Sequence, residues 1–356
     1  MQIQFPDYTV LSKIGCGSQH QVYLAKEKSS SKSFAIKIEK NPQLGQLENE
    51  IKVLQKLKGI EGIPKIKQIG VAQENKCYFV LPLLHSNLLE LVKGRKVSQS
   101  AIMRIGLRVI EILEQVHKKN ILHLDIKPEN IMISQAFEKE SDIEKDGFIQ
   151  LIDFGLSQLY EENSEGLQDV FIGSLNFASR SSHDGSPLGY KDDLESLLYV
   201  LFYLKDLTLP WSHQQYYTFS VQDFELIKQS KLTFFKTLIL QCKSFNHFSV
   251  FMSYINQLHY NQIPDYSYIR EVFKHMIQAS NNSIIQFKLD QQQSLCTPTQ
   301  SYLEDSEIQK ITNCDNFEEI LLEHNNNGSE KTIILVSNLV GKYNTKQIKS
   351  IKDIKY

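Results

Sequence analysis

Polarity alternates over residues 8–14, a glycine-containing turn follows, and short apolar runs recur over 22–25 and 34–38. A period of two with β-branched and aromatic residues predicts three successive strands. The rhythm then changes. Ile51, Leu54 and Leu57 fall three apart and predict a helix over 48–58, and an apolar run over 77–84 predicts another strand. From His85 onward helical spacing dominates. Ser98 stands at an N-cap position before the apolar stripe Ile102, Ile105, Val109, Leu113 and Val116. Two short apolar runs, 131–133 and 148–152, flank a polar, acidic stretch over 135–146 that reads as an extended hairpin loop. Further helices are predicted over 193–204, 234–241 and 248–258. The fold class is therefore α+β, a strand-rich first part with one helix and a mainly helical second part.

After about Ser280 the pattern dissolves into Asn- and Gln-rich sequence, including 291–293 and 325–327. Such composition buries too little apolar surface to offset chain entropy, so a largely disordered tail is expected, with 317–322 and 332–336 as segments able to order. The expected organisation is 1–84, 85–283 and a tail over 284–356.

Composition narrows the function classes. A chain of 356 residues with 41% hydrophobic and 22% charged residues is long enough for two lobes and a tail. Its net charge of −2 gives no general attraction to nucleic acid. The longest apolar run, 197–204, is far too short to span a bilayer and reads as the core of a buried helix, so no membrane partner is expected. The five cysteines are scattered, with no CxxC pair to suggest zinc. With no signal-peptide pattern at the N-terminus, an intracellular protein is expected, cytoplasmic and/or nuclear.

Four stretches carry candidate chemistry. The first is the turn Gly15-Cys16-Gly17-Ser18-Gln19-His20 between two predicted strands, before Val22. Glycines there let backbone N–H groups approach a triphosphate, although glycine turns are also common in ordinary hairpins. Next comes Lys37, which follows Ala35-Ile36 in the next strand and could hold phosphates. Glu48, three residues before Ile51, is assigned as its partner by a charge-assisted contact; Glu50 is the competitor, expected to face away from the apolar stripe. The third stretch is His123-Leu124-Asp125-Ile126-Lys127-Pro128-Glu129-Asn130, and the fourth is Leu151-Ile152-Asp153-Phe154-Gly155. Asp125 suits a base that orients a hydroxyl and accepts its proton, and Lys127 would neutralise charge on a moving phosphoryl group. Asn130 and Asp153 offer oxygen donors suited to Mg²⁺. Singly, each of these residues is an ordinary turn former; in this order they read as phosphoryl-transfer equipment using ATP and Mg²⁺.

These motifs resemble the eukaryotic protein kinases over roughly residues 8 to 280, which implies the bilobal kinase fold and protein substrates. More specifically, several segments look like the casein kinase I group: 173–179 with His183, 191–197, Leu209-Pro210-Trp211, 62–64 and 264–268. Ala178-Ser179-Arg180 stands where most kinases carry Ala-Pro-Glu, as in that group. The resemblance implies a serine/threonine kinase, in which Asp193 bonds the catalytic-loop backbone. It also implies Ile14, Gly15, Gly17, Val22, Ala35 and Leu81 around the nucleotide, with Leu81 as gatekeeper. Adenine would meet the Pro82 carbonyl and the Leu84 N–H.

The chain also departs from its relatives. His20 occupies the third glycine position, and Leu124 replaces the Arg that often pairs with an activation-loop phosphate. The positions that read a substrate phosphate in casein kinase I enzymes match Asp169, Asn176 and Gln222, none of them basic. An active kinase without preference for primed substrates is expected. Two alternatives stay open: Lys191 or Arg180 supplies the missing charge, or the chain is a pseudokinase scaffold. The hydroxyl- and acid-rich segment 296–307 and the spaced lysines from Lys342 to Lys355 are read as solvated sequence; a regulatory role for the former and a surface-binding role for the latter are the rivals.

Overall fold

The computed structural model describes residues 3–17, 19–41, 46–93, 96–160, 170–212, 221–240 and 248–281. The expected tail, with its segments 317–322 and 332–336, and Asp169 lie outside the described residues.

Five strands build the first part: β1 (Tyr8–Cys16), β2 (His20–Glu27), β3 (Ser33–Glu39), β4 (Gln68–Val71) and β5 (Cys77–Pro82). They form one antiparallel sheet in the order β1-β2-β3-β5-β4. The helix α1 (Gln46–Lys56) crosses it. Two clusters bind this layer: Phe5, Tyr8, Ala25, Ile36, Ile38, Tyr78 and Val80 on one side, and Leu47, Ile51, Leu54 and Phe79 continuing into the main core on the other.

The second part starts with β6 (Ser86–Asn87) and α2 (Leu88–Val92), and α2 carries a capping box between Asn87 and Glu90. Next comes α3 (Gln99–His117), whose Ser98 hydroxyl accepts from the Ala101 N–H at 3.1 Å as the sequence predicts. Three short strands follow, β7 (Ile121–Leu122), β8 (Ile131–Ile133) and β9 (Ile149–Leu151), then β10 (Gln158–Leu159). β8 lies between β6 and β9, and β10 pairs with β7. These pairings hold the loops 123–130 and 152–157 side by side. The stretch 135–146 is more ordered than a plain hairpin loop. It contains a helical turn over Glu140–Glu144, anchored where the Arg108 guanidinium donates to the Ile143 carbonyl at 3.2 Å.

The rest is helical: α4 (Arg180–Asp184), α5 (Tyr190–Asp206), α6 (Val221–Leu240), α7 (Ser249–Gln257) and α8 (Tyr266–Asn281). Residues 197–201 of α5 are all 0% exposed, which identifies it as the central helix, apolar on every side there. Gly106 permits the close approach of α3 to its neighbours, because a Cβ there would lie 2.5 Å from the Phe273 ring of α8. Among the described residues no helix is long and apolar enough to cross a membrane.

Candidate active site

Lys37 projects from β3, paired with Val22 on one side and Phe79 on the other. Its ammonium is buried between two carboxylates: 2.7 Å from Glu50 Oε2 and 2.8 Å from Asp153 Oδ1. The partner from α1 is thus Glu50, and the assignment of Glu48 is corrected. Leu47, Glu50, Ile51 and Leu54 form the buried stripe of the helix, while Glu48 is exposed. The signal was present in the sequence, since Glu50 falls three residues after Leu47 and four before Leu54, on the apolar face.

Burial would push the Asp153 carboxyl up, but Lys37 outweighs it and holds the group well below the ordinary carboxylate range. Glu50 goes the other way, pushed up to about 7 by burial and by the Asp153 charge against the opposing pull of Lys37. Asp153 sits at φ +64°, a left-handed conformation that turns its side chain back toward β3 from the end of β9.

The loop 123–130 builds a second cluster. Asp125 Oδ2 accepts from Lys127 Nζ at 2.7 Å and from Asn130 Nδ2 at 3.0 Å. Its Oδ1 accepts from the Ser174 hydroxyl at 2.6 Å, and Lys127 Nζ also donates to that hydroxyl at 2.8 Å. Ser174 is the residue that sequence reasoning passed over: it was a motif letter, and only folding brings it 49 positions back along the chain to Asp125. Gly173 makes the approach feasible, since at its φ of +116° a Cβ would lie 2.9 Å from the Leu124 carbonyl.

This loop is fixed from behind. Asp193, in the first turn of α5, accepts from the Leu124 N–H at 2.7 Å and the His123 N–H at 2.8 Å, and His117 Nε2 lies 2.8 Å from the same carboxylate. That is the contact expected for Asp193. His123 joins the two loops: Nε2 donates to the Ile152 carbonyl at 3.1 Å and Nδ1 accepts from the Asp125 N–H at 3.2 Å. The Ile152 N–H in turn bonds the Asn130 carbonyl at 2.9 Å.

The remaining predicted positions lie on β1, β2, β3 and β5 of the sheet, at the turn between β1 and β2, and just beyond β5. Gly15 pairs with Val22 and Ala35 with Leu81, and Ile14 leaves an apolar side chain 49% exposed beside them. Leu84 follows β5, half-buried. Gly17 stands at the turn, where its N–H bonds the His20 carbonyl at 3.0 Å. His20 points inward. Burial and the Lys37 charge push its imidazole down to about 3, and Nε2 lies 3.9 Å from Asp153 Oδ2.

Leu124 is buried, at φ +64°, in an apolar cluster with Leu122, Ile172 and Tyr190. Of the two rival cations, Arg180 is engaged: its guanidinium forms a bidentate pair with the buried Glu195 at 3.1 and 3.2 Å and stacks 3.5 Å over Phe235. Lys191 makes no ion pair with any described residue.

The arrangement suits a nucleotide and a divalent cation. The Asn130 amide nitrogen is taken by Asp125, which leaves its oxygen as a hard donor, and Asp153 is an ionised carboxylate with Oδ2 turned away from Lys37. The protein kinase domain family model matches residues 8–348, a span that continues past residue 283. The antiparallel sheet followed by a helical part is the bilobal α+β arrangement of that fold, and the chain belongs to the protein kinase family.

Proposed function

We propose that this kinase transfers the γ-phosphoryl group of ATP, with Mg²⁺, to serine and threonine hydroxyls of protein substrates, in the manner of the casein kinase I group. The observation that carries this reading is the Asp125–Lys127–Ser174 cluster, held in register with Lys37 and Asp153 by the His123 bridge. Asp125, whose carboxylate the Lys127, Asn130 and Ser174 donors hold in one orientation, orients an incoming hydroxyl and takes its proton. Lys127, already against that carboxylate, balances charge on the group in flight. Lys37 grips phosphate oxygens while Glu50 fixes its position, and Asn130 and Asp153 hold the cation. Mg²⁺ supplies charge neutralisation at the phosphates.

Absence of a primed-substrate preference is part of the reading. Leu124 gives a phosphate no charge to meet, Asn176 is not basic, and Arg180 is bound to Glu195. Lys191 is the rival that a Lys191→Ala variant removes. The test is Mg²⁺-dependent transfer of labelled phosphate to casein, with Asp125→Asn as control, and to a peptide pair with and without an upstream phosphoserine. Transfer lost in Asp125→Asn and similar for both peptides is the expected result. A strong primed preference overturns the specificity, and tyrosine as the labelled residue overturns the acceptor class. No transfer by the wild type points instead to a pseudokinase scaffold.

A further inference from the structure

His20 opens β2 at the inner end of the glycine turn, and its surroundings fix where its ring goes. Its carbonyl accepts from Gly17, and the residue pairs with Glu39 across β3. On the other side of the turn the Lys40 N–H bonds the Gln19 carbonyl at 2.8 Å, and Lys40 Nζ donates to the Gly17 carbonyl at 2.5 Å. A loop tied at these points carries the imidazole inward, where its side chain is only 18% exposed. Nε2 stands 3.9 Å from Asp153 Oδ2, and the ring nitrogens hydrogen-bond no described residue. Lys37 occupies the other oxygen of that carboxylate. The ring therefore faces the open oxygen of the residue assigned to the cation.

We propose that His20 is a further ligand to the divalent cation at Asp153, adding an imidazole nitrogen to the oxygen donors of Asp153 and Asn130. This rests on reading Asp153 as the cation-binding carboxylate. Two donors each about 2.1 Å from one ion lie at most about 4.2 Å apart, and about 3 Å apart at a right angle. The observed 3.9 Å is inside that range, and less than about 1 Å of ring movement brings it to the right-angle pair. Glycine at this position has no donor to offer. The consequence is metal selectivity. Mg²⁺ favours an all-oxygen shell, whereas imidazole suits later first-row ions, so the mixed set shifts preference away from Mg²⁺ toward Co²⁺ and Ni²⁺ and, more weakly, toward Mn²⁺.

The test uses the full chain with Mn²⁺ and the methylene-bridged ATP analogue, read by pulsed electron paramagnetic resonance. A directly bound imidazole gives a ¹⁴N modulation. Labelling the protein's histidines with ¹⁵N changes that signal only if it comes from the protein and not from adenine. The expected result is a histidine nitrogen signal in the wild type that disappears in His20→Gly. Alongside it, Mn²⁺ affinity should fall by about tenfold, the size of effect seen when support for a metal site is removed, with Mg²⁺ affinity nearly unchanged. Thermal melting of His20→Gly checks that the variant is folded. Bound Mn²⁺ without a histidine signal, or a signal that survives His20→Gly, overturns the proposal and leaves the nucleotide site standing. Failure of Mn²⁺ to bind, or binding that Asp153→Asn does not weaken, overturns both.

Discussion

Lys37 lies between two carboxylates in opposite electrostatic states, Asp153 held ionised and Glu50 raised to about 7. Removing Glu50 leaves the ammonium, already 2.8 Å from Asp153, with that carboxylate as its one remaining charged partner among the described residues, so it competes more strongly with the cation there. Glu50→Gln is expected to weaken nucleotide binding by roughly ten- to a hundredfold, the equivalent of one charge-assisted hydrogen bond. Glu48→Gln should leave it within about twofold, since an exposed charge contributes little. Calorimetric titration of both variants with the methylene-bridged ATP analogue separates the two positions. Leu124 makes a complementary case. Its left-handed backbone is held by Asp193 while its side chain fills the Leu122–Ile172–Tyr190 cluster. Leu124→Arg would bury a guanidinium among apolar side chains, with no carboxylate paired to it among the described residues of that cluster, and should cost about 2–4 kcal/mol in urea unfolding.

Two helices govern the loops that carry the chemistry. The first turn of α5 holds adjacent acids in different states: Asp193 is lowered, because burial is outweighed by its bond to His117, while burial raises Asp192 to about 6 from an ordinary 3.8. Asp192 Oδ2 accepts the Gly189 N–H at 2.7 Å, and its buried Oδ1 has no hydrogen-bond partner among the described residues. With the folded value above the unfolded one, the native state keeps a proton that the unfolded chain has released between about pH 4 and 6. Stability from this group is therefore full below that window and lost as pH rises through it, by an amount on the order of 2–3 kcal/mol. Asp192→Asn retains the acceptor for Gly189 and should flatten this slope, measured by urea unfolding at pH 4.5 and 7. Helix α6 holds the segment that follows Ser174. Lys231 is fully buried, and its Nζ donates to the Leu175 and Ala178 carbonyls at 2.8 and 2.6 Å and lies 3.0 Å from His183 Nε2. Lys231→Met strips partners from two carbonyls in the segment that carries Ser174. Peptide KM should rise several-fold more than ATP KM, and steady-state kinetics with each substrate varied in turn measures the difference.

At the scale of the molecule, the site closes over residues from both parts of the chain: Lys37 and Glu50 from the sheet layer, Asp153 from the loop after β9. A ligand gripping both sides couples its binding to global stability. A Mg²⁺–nucleotide complex at a hundred times its Kd should add about 2.7 kcal/mol and raise the melting temperature by several degrees. Chelation with EDTA should reverse most of the shift, and Asp153→Asn should never show it; differential scanning fluorimetry reads all three.

The chain by itself determined the groups whose partners are near in sequence. Asp125, Lys127 and Asn130 lie within six positions, so their order alone was enough to find them, and Ser98 announced α3 from the position next to it. Element types were legible wherever one apolar period held, as in β1 to β3 and α3. Tertiary structure decided what depends on distant approach. The phase of α1 that favours Glu50 over Glu48 was recorded locally in Leu47 and Leu54, but the approach of that stripe to Lys37 was set by packing. Distant approach alone put Ser174 against Asp125, Arg180 against Glu195, and the ring of His20 against Asp153. A side chain's partner across 15 to 133 residues is set by the packing of elements, and no local period records it.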